Sequence, residues 1–296
     1  MFNDLFLQNG LSFDRLRNFL SVAEAGSIRA VSDGDPARQS LISRQIRELE
    51  VFFGTELTRR KGRGLEITGA GKELARQIRL QFQALSDFKQ VQNRAPVEVR
   101  IGSGNSVLEW MLIPAIADLG QSARSFRWSY QVLRTREVVD ALLSHRMDFG
   151  LIRQSAVVRP LKYLHLRRVG YALFLPGKWP LQEPETFPEG KPWALTIGGE
   201  FRRHFESAAL KANVVLNPTH LCTSFTQAAR LVDEGVAAAV LPEIASFREK
   251  AGRVDLPWLT GCSRSIGLVW HPRNVEVRTA LDTVRRELRD VLADGG

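Results

Sequence analysis

Residues 16 to 71 read LRNFLSVAEAGSIRAVSDGDPARQSLISRQIRELEVFFGTELTRRKGRGLEITGAG, and this stretch decides how the chain is organised. Leu16, Phe19, Leu20, Val22 and Ala23 recur at helical spacing and mark an amphipathic helix. Gly26 ends it, and Ser27 offers a hydroxyl to cap a second helix over Ile28, Ala30 and Val31. A turn follows at Asp33-Gly34-Asp35-Pro36. Pro36 suits a first helical position, with Asp35 as the cap. The third helix puts Leu41, Ile42, Ile46, Leu49 and Phe53 on the side expected to be buried. Gln39, Ser40, Ser43, Arg44 and Arg47 fall on its other faces, and Gly54 stops it.

Two short helices joined by a tight turn, the second with a polar and basic outer face, form the helix-turn-helix arrangement that enters a major groove. In that setting Gln39 suits adenine and Arg44 or Arg47 suits guanine. Ser43 reaches a phosphate or a base edge. Thr58-Arg59-Arg60-Lys61-Gly62-Arg63-Gly64 then runs into Leu65-Glu66-Ile67-Thr68. Apolar residues flank a Gly-containing basic turn, which reads as a β-hairpin wing. Arg59, Arg60, Lys61 and Arg63 would lie against phosphates. From Arg38 to Arg63 there are seven basic and three acidic residues. A solvated helical face with an ordinary basic loop would explain any one of these helices; the ordered combination points to double-stranded DNA.

The bulk composition agrees without deciding. The chain has 296 residues, 44% hydrophobic and 25% charged, which suits roughly two globular domains. Its 41 Lys+Arg against 32 Asp+Glu give a net charge of +9. That excess favours anionic partners but does not choose among nucleic acids and membrane surfaces. Arg outnumbers Lys; bidentate recognition and a GC-rich coding bias both account for that. Two cysteines, Cys222 and Cys262, exclude a disulfide framework and a CxxC metal pair. Buried structural thiols and a redox pair both remain open readings, the first favoured. MFNDLFLQNG lacks the basic and apolar regions of a signal peptide, and no run approaches the ~18 apolar residues of a membrane span. The expected location is the cytoplasm, with no membrane partner.

Beyond residue 96 the texture changes. Ala70 to Phe88 is helical, with Leu74, Ile78, Leu85 and Phe88 on one stripe and Phe82 nearby. Asn93-Arg94-Ala95-Pro96 reads as a hinge. Strands are expected at 97–102, 129–133 and 148–152, with a helix that follows Ser103-Gly104-Asn105-Ser106 and runs to Ile113-Pro114, and another opening at Thr135. A second unit starts at Tyr171. It has expected strands at 171–176, 193–197, 214–216 and 236–242, and helices from Arg202 and over 228–232. A strand at 266–270 and a last helix at 277–292 return to the first unit. The fold class is therefore α/β with a winged helix-turn-helix head and a two-subdomain, periplasmic-binding-protein-like second half. The divisions are 12–70, a linker helix at 70–93, subdomain I at 97–165 with 266–294, and subdomain II at 166–265. GSGNSV matches the dinucleotide fingerprint only in part, so no cofactor is expected.

The segments LRNFLSVAEAGS, SRQIRELE, FFGTEL, Arg59-Arg60 and LEITGAGKEL resemble the LysR-type transcriptional regulators, in family order and without a gap over about residues 14 to 75. DFGLI at 148–152 and the run ending in Leu241-Pro242 are similar to phrases of that family's sensor domain. Asp35 stands where the family has Leu, Arg38-Gln39-Ser40 where it has Ser-Gln-Pro, and Thr58 where it has Phe. Gln39 carries over, while Arg38 would add a phosphate contact. The resemblance implies that the long helix pairs two subunits, giving a homodimer or homotetramer through linker and sensor. It also implies that a small-molecule effector lies in the cleft between subdomains. Its candidate contacts are Asn105, Ser106, Thr135, Gly199, Glu200, Thr223 and Ser224. Arg134 and Arg153, near the same strand ends, could pair with a carboxylate of an anionic effector, while a solvated or structural role suits each of them as well. RNA polymerase is a candidate partner.

Two other classes fit less well. The five histidines, His145, His165, His204, His220 and His271, show no metal spacing, and GxSxG, HExxH and P-loop motifs are missing, which argues against an enzyme. A solute-binding protein would suit the second half alone, but not the head.

Overall fold

The structure is a computed structural model that describes residues 5, 9–62, 64–180, 190–197 and 199–293, with backbone only at 199 and 200. It divides into two compact units, Met1–Asn93 and Arg94–Gly296.

In the first unit, α1 (Phe13–Ala25) starts at Ser12, whose hydroxyl accepts from Arg15 N–H, and ends at Gly26 with φ 66°. That left-handed backbone is why glycine stands there. The short α2 (Ile28–Val31) is capped by Ser27. Asp35 caps α3 (Pro36–Phe53) by accepting from Ala37 N–H. Phe19, Val22, Ile42, Ile46 and Leu49 form the core with Leu57, Ala75 and Ile78. Leu41 and Phe53, expected inside, are 42% and 37% exposed. The buried arc of α3 runs through Ile42, Ile46 and Leu49; Leu41 is turned away from it by about 100°, and Phe53 lies on the last turn.

β1 (Thr58–Lys61) and β2 (Gly64–Ile67) pair antiparallel with Lys61 opposite Gly64. The connection is two residues long and begins at Gly62, φ 58°, as tight hairpins require. Helix α4 (Gly69–Gln92) follows, its first turn capped by Thr68 Oγ1. Leu74, Ile78 and Phe82 join the core, while Leu85, Phe88 and Val91 are exposed, so the predicted stripe is split between two environments.

The second unit holds two five-stranded sheets. In the first, β3 (Val97–Ser103) lies between β4 (Phe126–Val132) and β5 (Phe149–Arg153), both parallel to it. β12 (Arg264–Trp270) runs antiparallel between β5 and β6 (Lys162–Val169). In the second, β10 (Ala238–Pro242) is parallel to β8 (Trp193–Thr196), which is parallel to β9 (His220–Cys222). β7 (Tyr171–Leu175) is antiparallel to β10, and β11 (Gly252–Val254) is antiparallel to β7. Strands β6 and β11 were not foreseen.

Between β3 and β4, α5 (Asn105–Val107) passes through a π turn at Leu108–Leu112 into α6 (Ile113–Asp118); Pro114 lacks the N–H an ordinary turn would use. The other helices are α7 (Thr135–Leu143), α8 (Gly199–Lys211), α9 (Phe225–Asp233), α10 (Pro272–Val277) and α11 (Ala280–Ala293). The expected last helix at 277–292 starts at Ala280 instead, and the short α10 before it was not foreseen. The expected strand at 214–216 is not one. Val214 N–H bonds to Ala209 O at the end of α8, Val215 is 86% exposed, and the sheet is extended instead by His220–Cys222. Among the described residues no helix is long and apolar enough to cross a membrane.

Candidate functional site

The exposed face of α3 carries Arg38, Ser40, Leu41, Arg44 and Arg47, with Gln39 and Ser43 half-buried beside it. The three arginines differ in what holds them. Arg38 Nη1 donates to Asp33 at 3.0 Å, and Arg44 Nε is 3.7 Å from Glu48. Arg47 has no ion pair among the described residues. Asn18 Nδ2 donates to Gln45 Oε1 at 2.6 Å and Arg15 Nε to Glu48 at 2.6 Å, which fixes α3 against α1 while leaving its outer face to solvent. In the wing, Arg59 and Lys61 share one side of β1 and Arg60 the other; all three are exposed, and Lys61 Nζ is 3.4 Å from Glu66. Arg63 lies outside the described residues.

In the second unit, the C-terminal ends of β3, β4 and β5 and those of β8 and β9 open on a cleft of about 1430 Å³. Asn105, Ser106, Arg134, Thr135, Arg153, Thr223 and Ser224 all line it. Gly199 and Glu200 open α8, and the Glu200 side chain lies outside the described residues. Several predicted contacts already have partners. Asn105 Nδ2 donates to Thr226 Oγ1 at 2.8 Å, a bond that crosses from one sheet's side of the cleft to the other. Thr226 and Ser224 hydroxyls are 3.0 Å apart, and Ser224 Oγ caps α9 by accepting from Gln227 N–H. Thr223 donates from N–H and hydroxyl to Gln227 Oε1, each at 2.9 Å. The N-terminus of α7 is occupied as well: Glu137 accepts from Arg134 N–H at 2.7 Å.

The cleft is strongly cationic. Among the described residues, Arg134, Arg136, Arg153, Arg203 and Arg264 line it, against one carboxylate, Glu137. Arg264 and Tyr171 were missed in the sequence, as were Thr196 and Phe201. β12 and β7 run antiparallel to their neighbours, so their first residues share an edge with the last residues of the parallel strands: Ile266 is opposite Arg153, and Tyr171 opposite Pro242. Strand direction, which local pattern does not carry, was the needed signal. Burial pushes the Tyr171 phenol above its ordinary range, partly offset by the nearby Arg264 and Arg153 guanidinium groups. Cys262 also lines the cleft; burial raises both its thiol and that of Cys222.

Known proteins share this arrangement. The family described as the LysR substrate binding domain matches residues 92–293, and the bacterial regulatory helix-turn-helix protein family, lysR type, matches residues 13–72. The HTH-type transcriptional regulator PtxR of Pseudomonas aeruginosa is 25% identical over 262 residues, covering 82% of this chain and 80% of PtxR. Among solved structures, a full-length OxyR of Pseudomonas aeruginosa, in a variant with one cysteine replaced by aspartate, superposes with a TM-score of 0.63 at 15% identity, covering 96% of this chain and 95% of its own. Full-length CbnR, a protein solved with its target DNA, gives a TM-score of 0.57 at 19% identity, covering 94% of this chain and 100% of its own. At such identities the two structures speak for the fold alone. The two family matches together span head and second half, and the chain belongs to the LysR family of DNA-binding bacterial transcriptional regulators.

Proposed function

We propose that this regulator reads a promoter through α3 and its wing and is modulated by a small anionic effector in the cleft of its second unit. The observation that carries the second part is the cleft's charge: among the described residues five arginines line it against one glutamate. Gln39, Ser40, Ser43, Arg44 and Arg47 face base edges and the neighbouring phosphates. Arg38, Arg59, Arg60, Lys61 and Arg63 hold the sugar-phosphate backbone. Asn105, Ser106, Arg134, Thr135, Arg153, Gly199, Glu200, Thr223 and Ser224 form the effector site. The exposed Leu85, Phe88 and Val91 on α4 support pairing of two chains through that helix. A dimer or tetramer would then place two recognition helices in successive major grooves. RNA polymerase is the partner through which a change at the promoter would be read, in the cytoplasm. The domain divisions are those of the sequence reading, at 12–70, 70–93, 97–165 with 266–294, and 166–265.

An effector that prefers one spacing of subunits changes the DNA complex by its differential affinity and by nothing else. The test is a titration of the protein against its own upstream intergenic DNA and a scrambled duplex, at several salt concentrations, with and without small carboxylates. Tight binding to the upstream DNA alone, altered by one of the anions, is the expected result. Equal weak binding to both duplexes, lost together with salt, would remove sequence reading from these residues.

A further inference from the structure

The cleft contains a cation and a hydroxyl that the protein itself does not satisfy. Arg264, at the start of β12, places its guanidinium 5.7 Å from the ring centre of Tyr171 and 6.0 Å from that of Phe225. The rings attract the cation through their π faces but supply no carboxylate or carbonyl oxygen to accept its N–H groups. Its Nε is buried and has no hydrogen-bond partner. Among the described residues no carboxylate pairs with it. Other arginines of this unit are treated differently: Arg100 and Arg278 share Asp148, and Arg253 pairs with Glu243 and Asp255. A half-buried cation without a counter-ion is costly.

Thr196, at the end of β8, lines the same cleft, is 6% exposed, and its Oγ1 also has no partner. The rings beside Arg264 are held in place. Tyr171 stacks on Phe201 at 4.3 Å, and Phe201 on Phe205 at 5.5 Å.

We propose that Arg264 and Thr196 form the anchor for a carboxylate of the effector, with Tyr171 and Phe225 beside the guanidinium. This rests on the effector-cleft reading above. A flat carboxylate matches a single planar fork bidentately. A tetrahedral phosphate presents more acceptors than one fork and one hydroxyl satisfy. The Tyr171 phenol, held protonated by its burial, adds no competing negative charge.

The test uses the full chain. Acetate, succinate and benzoate, their amides, and inorganic phosphate are titrated by calorimetry and by thermal melting at constant ionic strength. At least one carboxylate should bind and raise the melting temperature, and its amide should not. Arg264→Gln should weaken that carboxylate on the order of 10- to 100-fold, and Arg264→Lys should restore part of the loss. Thr196→Val keeps the shape, so it carries the test if the arginine variant folds poorly. It should weaken the same ligand about five- to tenfold while leaving the unliganded melting temperature unchanged or higher, since it removes an unpaired buried hydroxyl. Equal carboxylate affinity in wild type, Arg264→Gln and Thr196→Val would overturn the proposal. So would a preference for phosphate, or binding by none of the carboxylates. Carboxylates that bind through Arg264 but leave the upstream DNA complex unchanged would instead uphold the anchor and refute the effector reading.

Discussion

Glu50 Oε1, near the end of α3, accepts from Thr58 N–H at 2.9 Å and Thr58 Oγ1 at 3.1 Å, and from Leu57 N–H at 2.9 Å. One carboxylate on the reading helix thereby fixes the first residue of the wing. The Thr58 hydroxyl is one of the three donors. Glu50→Ala should lower stability by about 1–3 kcal/mol, the scale for a hydrogen-bonded charged group that is only partly buried. It should also weaken DNA binding, because Arg59 and Arg60 lose their placement. Urea unfolding and a DNA titration check both. Unchanged DNA affinity with lowered stability would show that the wing does not depend on this tie.

The basic residues of the head should separate by the kind of loss they cause. Arg44→Ala should reduce binding to the specific site by about 1–3 kcal/mol and relax the preference at one base pair. Arg59→Ala and Arg60→Ala should weaken specific and scrambled DNA alike and each reduce the salt slope by about one ion. Arg38 must release Asp33 before it can hold a phosphate, so Arg38→Ala should cost less than either wing change. An Arg44→Ala protein that kept wild-type affinity and specificity would remove that residue from the reading face.

The head was legible because its signals are local. Ser27, Asp35, Gly26 and Gly54 each act within a turn of the residue that bears them, and the structure puts each in the expected cap. Its buried arc was drawn one residue too wide at Leu41, since hydrophobicity alone does not say where a helix face ends. In the second unit, helix–strand alternation located most elements but not the sheet order. β6 carries Lys162, His165, Arg167 and Arg168 and lies at a sheet edge, so it lacks the apolar run that betrays a central strand. Val214-Val215-Leu216 has that run and no sheet to join. The cleft followed the same rule. Thr135 and Thr223 adjoin helix starts, which sequence shows, whereas Arg264 and Tyr171 reach it by antiparallel pairing, which sequence does not.

Asp148 precedes β5 and is fully buried. It accepts from Arg100 N–H at 2.8 Å and pairs with the guanidinium groups of Arg100 and Arg278. Arg278 itself is buried, and its Nη2 donates to Glu98 O at 2.8 Å. The carboxylate therefore joins β3 to the break between α10 and α11. Asp148→Asn keeps the shape but removes the negative charge that the two guanidinium groups share. It should destabilise the second unit by about 3–5 kcal/mol, read as an early melting transition. The head is a separate compact unit, so its own transition should stay close to wild type. A variant melting like wild type would show that the arginines find other acceptors.

Both thiols are free and buried, Cys262 donating toward His204 O at 3.7 Å, and burial pushes each above the ordinary thiol range. A raised value favours the thiol and withholds the thiolate that oxidants and disulfide reagents attack. A redox switch built on these residues is therefore disfavoured. Near neutral pH the folded protein should react with a disulfide reagent far more slowly than the urea-unfolded chain, in which both cysteines should react at once. The native rate should climb only as the pH passes the raised values. Brief peroxide treatment should leave DNA binding unaltered in wild type, as in Cys222→Ser and Cys262→Ser. Rapid native labelling of one cysteine at neutral pH, with a peroxide-dependent change in DNA affinity that its serine variant abolishes, would restore the redox reading.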